Sequence, residues 1–369
     1  MSINTEAQKD EGAVIARRGD YCHARLLCRR KKRDILLSPV RHASTSAMAT
    51  QPQISNVPEL TIRHLRENDL VAADRIFRLA FGTFLGLPDP MQFSGSADCV
   101  RTRWIADPEA AFGAEREHEV VGSNFAANWG SVGFFGPLTV RPDLWDQGIA
   151  KRLLAPVVDT FGRWGTRHAG LFTFAQSTKH VGLYQKFGFW PRFLTAIMFK
   201  SVAQNVGASP PGTFSQLAPD RAGDGIKACQ QLTDAVYEGL DVSREILTVE
   251  KQKLGETVLL WEDELIGLAI CHCGTGTEAG SDTCYVKFGA VRPGKQAGAN
   301  FRQLLHACEA LAQERKLSRL VAGVNLGRHR AYREMLESGF RTEMQGVTMH
   351  RPNHVGYDRP TAFVIDDWR

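Results

Sequence analysis

The sequence predicts an α/β protein built as two tandem domains of α+β type. Three observations carry this reading. The chain has 369 residues, room for two domains at roughly 100–200 residues each. Strand-like and helix-like segments alternate along it. The second half also repeats the first: Val140-Arg141-Pro142 recurs as Val291-Arg292-Pro293, Leu153-Leu154 as Leu304-Leu305, and Gly188-Phe189 as Gly339-Phe340, each 151 residues later. Three matches in one register mark a duplication. The expected division is a leader over residues 1–55, a first domain over 56–200, a linker over 201–213 and a second domain over 214–369.

The leader lacks sustained periodicity and holds the basic run Arg29 to Arg33. Ten Lys/Arg and five acids fall within residues 1–47, so the net charge of +5 belongs to that segment and the rest carries 35 of each sign. A balanced body lacks the electrostatic footprint of a nucleic-acid binder. The basic run reads as a disordered leader rather than a nucleic-acid patch, and Met48 offers an alternative start. No apolar run approaches the ~18 residues of a membrane span, so a soluble, cytoplasmic protein without a membrane partner is expected.

In the first domain, Leu60 to Asp69 alternates like a strand. Asp69 is placed to cap a helix over 70–85, where Val71, Ala72, Ile76, Leu79 and Ala80 fall at helical spacing. Two strands around Ala110–Glu117 and Glu119–Asn128 pair as a hairpin turning near Glu117 and His118. A strand follows over Val132–Val140, then a turn, then a helix over Ile149–Trp164 in which Pro156 predicts a kink. A strand over Ala169–Gln176, a helix from Lys179 to Lys186 and a strand over Leu194–Phe199 close the domain. Ser201 to Thr213, small and polar with Pro210-Pro211, reads as the linker.

The eight cysteines contain no C-x-x-C pair. Cys271 and Cys273 share one strand face with His272 on the other, and further ligands at zinc spacing are lacking. Buried free thiols in a reducing compartment and no metal are expected.

The turn between Arg141 and Leu154 is the candidate site. A helix N-terminus presents unpaired N–H groups and the positive end of its dipole, and a glycine there lets an anion approach the backbone. Gln147, Gly148, Ile149 and Ala150 are positioned to offer amides. Lys151 and Arg152 place positive charge in the first turn, which the bare dipole disfavours and an anionic ligand relieves.

This run, with the later His180-Val181-Gly182-Leu183-Tyr184-Gln185-Lys186-Phe187-Gly188-Phe189, resembles the GNAT superfamily of acetyl-CoA-dependent N-acyltransferases. Its members carry a Q/R-x-x-G-x-G/A turn after the fourth strand. Here Gly148 and Ala150 fit, while Trp145 stands where Gln or Arg is usual. The resemblance spans about residues 58–369 and implies mostly antiparallel twisted sheets with splayed central strands flanked by helices. It implies acetyl-CoA as co-substrate, held by Leu138, Thr139 and Val140 along the pantetheine arm, by Asp146 to Lys151 at the diphosphate, and by Ser177, which can equally cap a helix. Tyr184 is implied as general acid: a phenol of pKa near ~10 stays protonated at neutral pH and can protonate a thiolate.

No general base is assigned. Glu117, His118 and Glu119 fall at a hairpin tip, His168 suits a structural role, and Asn124 is placed on a strand facing the cleft. The second copy puts Met335 where Tyr184 stands and ends its turn in Asn300, so it reads as a degenerate, substrate-shaping partner. The acceptor, a small-molecule or protein-borne amine, stays open. So does the alternative of a non-catalytic acyl-CoA sensor, which needs no acid at Tyr184.

Overall fold

The structure is a computed structural model and describes residues 59–203 and 210–369. The expected leader and residues 204–209 of the expected linker lie outside the described residues. One compact unit covers Asn56–Arg369.

Its first half runs β1 (Thr61–His64), α1 (Leu70–Leu85), α2 (Cys99–Ala106), β2 (Ala111–Arg116), β3 (Glu119–Trp129), β4 (Val132–Phe135), β5 (Thr139–Val140), α3 (Ile149–Trp164), β6 (His168–Thr173), α4 (Thr178–Gln185) and β7 (Trp190–Ser201). Its second half runs α5 (Ala222–Val236), α6 (Ser243–Gln252), β8 (Gly255–Trp261), β9 (Leu265–Cys273), β10 (Thr283–Val291), α7 (Ala297–Glu314), β11 (Arg319–Asn325), α8 (His329–Glu337), β12 (Arg341–Arg351) and β13 (Val364–Ile365). The repeat reaches into the elements: β11, α8 and β12 begin 151 residues after β6, α4 and β7.

All strands join one sheet in the order β1-β2-β3-β4-β6-β12-β7-β11-β10-β9-β8, with β5 on β3 and β13 on β10. The halves exchange strands at the centre. β12 lies between β6 and β7, antiparallel to both, and β7 lies between β12 and β11. Among the described residues, only β4–β6 and β10–β11 are parallel pairs.

Alternation along β2 and β3 sends Ala111 and Phe125 toward α1 and α2, and Phe112 and Ala126 toward α3 and α4. The two helix pairs therefore cover opposite faces of the sheet. In the second half, α5 and α6 pack on one face and α7 and α8 on the other.

Three local expectations are corrected. The strand over 132–140 is broken: Ala126 faces Phe135 and Ser123 faces Thr139, so two intervening residues oppose three. The bulge sits at Gly136-Pro137, where proline has no N–H to give the ladder. Asp69 precedes α1 without capping it, because its carboxylate takes Arg63 and the Arg66 N–H instead. Asn124 turns away from the cleft, fully buried, and its amide donates to the Leu153 carbonyl of α3 at 3.4 Å.

The hairpin tip forms as expected, with Glu117 and His118 both at positive φ. His168 is buried against His350 and Trp368. Cys271, Cys284 and Cys308 are buried free thiols of the second half's core. No helix among the described residues is long and apolar enough to cross a membrane.

Candidate active site

β4 pairs with β6 only from Val132 to Phe134, against His168 to Gly170. After the bulge the chain bonds to β3 alone, while β6 continues to Thr173 beside β12. The two parallel neighbours part, and a cleft of about 780 Å³ opens between them. It is lined on both faces of the sheet: by the start of α3 and by α4 on one, and by α1, α2 and part of the second half on the other.

At its α3 end the turn is built to stay open. Gly148 is the N-cap residue at φ 77°, the left-handed region that favours glycine. A Cβ there would meet nothing within 4 Å. The helix it starts has 16 residues, no side-chain cap and no acid in its first turn, so its first amides and dipole face the cleft unmatched. Trp145 braces the turn by donating from Nε1 to the Val140 carbonyl at 2.8 Å. Lys179 of α4 reaches across to Asp146 at 2.6 Å.

Of the residues singled out from sequence, Leu138, Thr139, Val140, Asp146, Gly148, Ile149, Ala150, Lys151, Ser177 and Tyr184 all line this one cleft. Gln147 does not; its side chain turns outward and accepts from Arg116 at 3.0 Å. Arg152 donates to the Leu60 carbonyl. Ser177 caps α4 through the His180 N–H at 3.4 Å.

Tyr184 is buried on the wall below the gap, edge-on to Phe135 at 5.7 Å. Burial pushes its pKa well above that of a free phenol, with a partly offsetting hydrogen bond to Thr173. It remains a proton donor throughout the neutral range.

Sequence reasoning missed several lining residues. His180 lies one turn before Tyr184 and also lines the cleft, a placement that the His-x-x-x-Tyr spacing implies once the helix is known. Burial, then Lys179, lowers its pKa. Phe77, Phe81 and Phe84 share one face of α1 by the same spacing. Arg103 forms a buried pair with Glu278, at 2.8 Å. Glu278, Tyr285, Met344, Trp368 and Arg369 bring the second half into the wall. They are remote in sequence and carry no local signal.

The described cysteine that lines the cleft, Cys99, has its pKa pushed up to about 12 by burial and then by Glu278, so it is a neutral thiol. Burial opposes the charge of Glu278, yet Arg103 and Lys287 outweigh it and hold the carboxyl well below the usual carboxylate range.

With an open helix N-terminus, a gap between parallel strands and a tyrosine beneath it in place, the family comparison becomes decisive. Residues 74–189 match the model of the acetyltransferase (GNAT) family. This segment is a GNAT domain. No curated protein matches the chain by sequence. A candidate acetyltransferase from Pyrococcus horikoshii is similar in structure at TM-score 0.59 and 12% identity, covering 86% of this chain and 98% of its own. The GCN5-related glucosamine N-acetyltransferase region of a fungal multi-domain β-N-acetylglucosaminidase superposes at TM-score 0.55 and 12% identity, covering 80% of this chain and 38% of that one. At such identities the two similarities speak for the fold. The GNAT domain carries an acetyltransferase scaffold, and its family uses acetyl-CoA.

Proposed function

We propose that the GNAT domain transfers an acetyl group from acetyl-CoA to a primary amine by direct attack, and that Tyr184 is the general acid. The observation that carries the reading is the parting of β5 from β6 directly above Tyr184 and beside the open N-terminus of α3. The diphosphate suits the amides from Gly148 to Lys151, and the pantetheine arm suits the free edge of Leu138–Val140.

A thioester is electrophilic enough to need no covalent relay, and Cys99, held neutral, is a poor candidate for one. What remains for the protein is to orient the two substrates, to let the attacking nitrogen lose its proton to water, and to protonate the leaving thiolate. Tyr184, kept in its phenol form by burial, suits the last task.

The second half is read as a non-catalytic partner that shapes the acceptor side, within a soluble, cytoplasmic enzyme. One coenzyme is then bound per chain.

Acetyl-CoA is expected to raise the melting temperature, since a ligand that binds only the native state stabilises it. Calorimetric titration should give one equivalent. Tyr184→Phe should keep the melting shift and lose roughly 10²-fold or more in kcat. An absent shift at millimolar coenzyme overturns the coenzyme assignment, and an unchanged kcat moves the acid elsewhere.

A further inference from the structure

The diphosphate turn and Tyr184 lie on the α3 face of the sheet, yet the cleft passes through the gap and continues on the α1 face. That second arm is where an acceptor would wait, and its chemistry is unusually uniform. We propose that it takes a primary monoamine carried on an apolar, aromatic-sized body. The inference rests on the transfer reading above and names its substrate class.

One wall is phenylalanine. Phe81 stacks on Phe93 at 5.1 Å, and Phe77 meets both edge-on at 5.3 Å. Phe84 continues the row to Phe174 at 4.9 Å. Opposite stand Phe172, Tyr285, Met344 and Trp368. Such walls reward a ring or a branched chain more than a hydroxyl or a second amine.

The acidic side chains in the lining, Asp146 and Glu278, point the same way, because each is already paired. Asp146 is held by Lys179. Glu278 takes two bonds from Arg103, at 3.1 and 2.8 Å, and one from Lys287 at 2.8 Å. Neither is free to anchor a second ammonium. Arg103 also donates to the main-chain oxygens of Gly136 and Arg369, so four of its five N–H groups are engaged. A diamine would find no unpaired acidic side chain for its second ammonium, and the phenylalanine wall gives an amino alcohol or an amino acid less than it gives a ring.

The test uses the full chain with acetyl-CoA and follows free thiol release. The acceptors are 2-phenylethylamine, ethanolamine, putrescine and glycine. The expected kcat/KM for 2-phenylethylamine is at least tenfold above each of the others. Phe81→Ala should raise its KM about tenfold while retaining the melting shift with acetyl-CoA, which also reports that the variant is folded; Phe93→Leu should raise it less.

Equal or faster turnover of a polar amine overturns the acceptor assignment. So does a coenzyme-bound protein inert toward 2-phenylethylamine, or a Phe81→Ala variant with unaltered KM. Failure of the transfer reading looks different: no melting shift with acetyl-CoA and no thiol release with any amine.

Discussion

The two halves contain the same gap in two conditions. In the first half β5 leaves β6 and the opening stays a cleft. In the second, β10 pairs with β11 only from Thr283 to Val286, and beyond that point β13 occupies its edge, Val364 on Ala290 and Ile365 on Gly289. The segment runs on so close to β11 that a Cβ on Gly323 would lie 2.2 Å from the Asp367 Cβ.

The counterparts follow suit. Gly148 caps its helix in open space, whereas Gly298 lies inside α7 with Phe363 against it. Tyr184 is matched by Met335, packed in the core. Ser177 is matched by Arg328, fully buried and bonded to Asp358, Asp366 and the Val364 carbonyl. A splayed strand pair is thus neutral ground: chain of its own can fill it as core, or it can stay open as a cleft.

The largest expected effect comes from unfastening the filled gap. Arg328→Met would strand two buried aspartates and should cost about 3–5 kcal/mol of stability, read as a large drop in denaturation midpoint. A loss under ~1 kcal/mol would mean that the segment is held by β13 pairing and packing alone.

Lowering the pH should strain both halves. His168 is kept neutral by burial and by His350 beside it, and His272 by burial and Lys287; each has a pKa of about 4. The unfolded chain takes these protons near ~6.5. Their contribution is therefore complete above that pH and is lost as the pH falls toward 4, at up to ~1.4 kcal/mol per pH unit for each histidine. Thermal melts across this window check it, and a flat profile contradicts it.

The smallest effects should differ in sign between the two turns. Gly148→Ala puts a Cβ at positive φ and should cost about 1 kcal/mol and weaken acetyl-CoA binding. Gly298→Ala, in a helix with its nearest neighbour at 3.4 Å, should gain up to ~1 kcal/mol and leave coenzyme affinity alone. Matching changes in coenzyme affinity at the two sites would erase the distinction.

Much of this plan was legible locally. The helix over 70–85 is found at the bounds that its periodicity predicts, and the 151-residue offset reappears in strand and helix starts. The turn at Gly148 was visible through its surroundings: a glycine before an apolar-periodic run is common packing geometry, and the later run from His180 to Phe189 gave it weight. The rest was set by partners far along the chain. Nothing near Leu194 says that β7 will lie between β11 and β12, and nothing in Phe363–Asp367 says which groove it will enter. Asp69 had a capping position, but Arg63 made a better bond. Gln147 sat in the right turn and faced the wrong way.

The interleaving of β12 and β7 has a consequence for truncation. A chain cut after residue 203 would lose the strand that joins β6 to β7, and would leave both with bare edges where the middle of a sheet had been. The first half is therefore not a free-standing module that trimming could release.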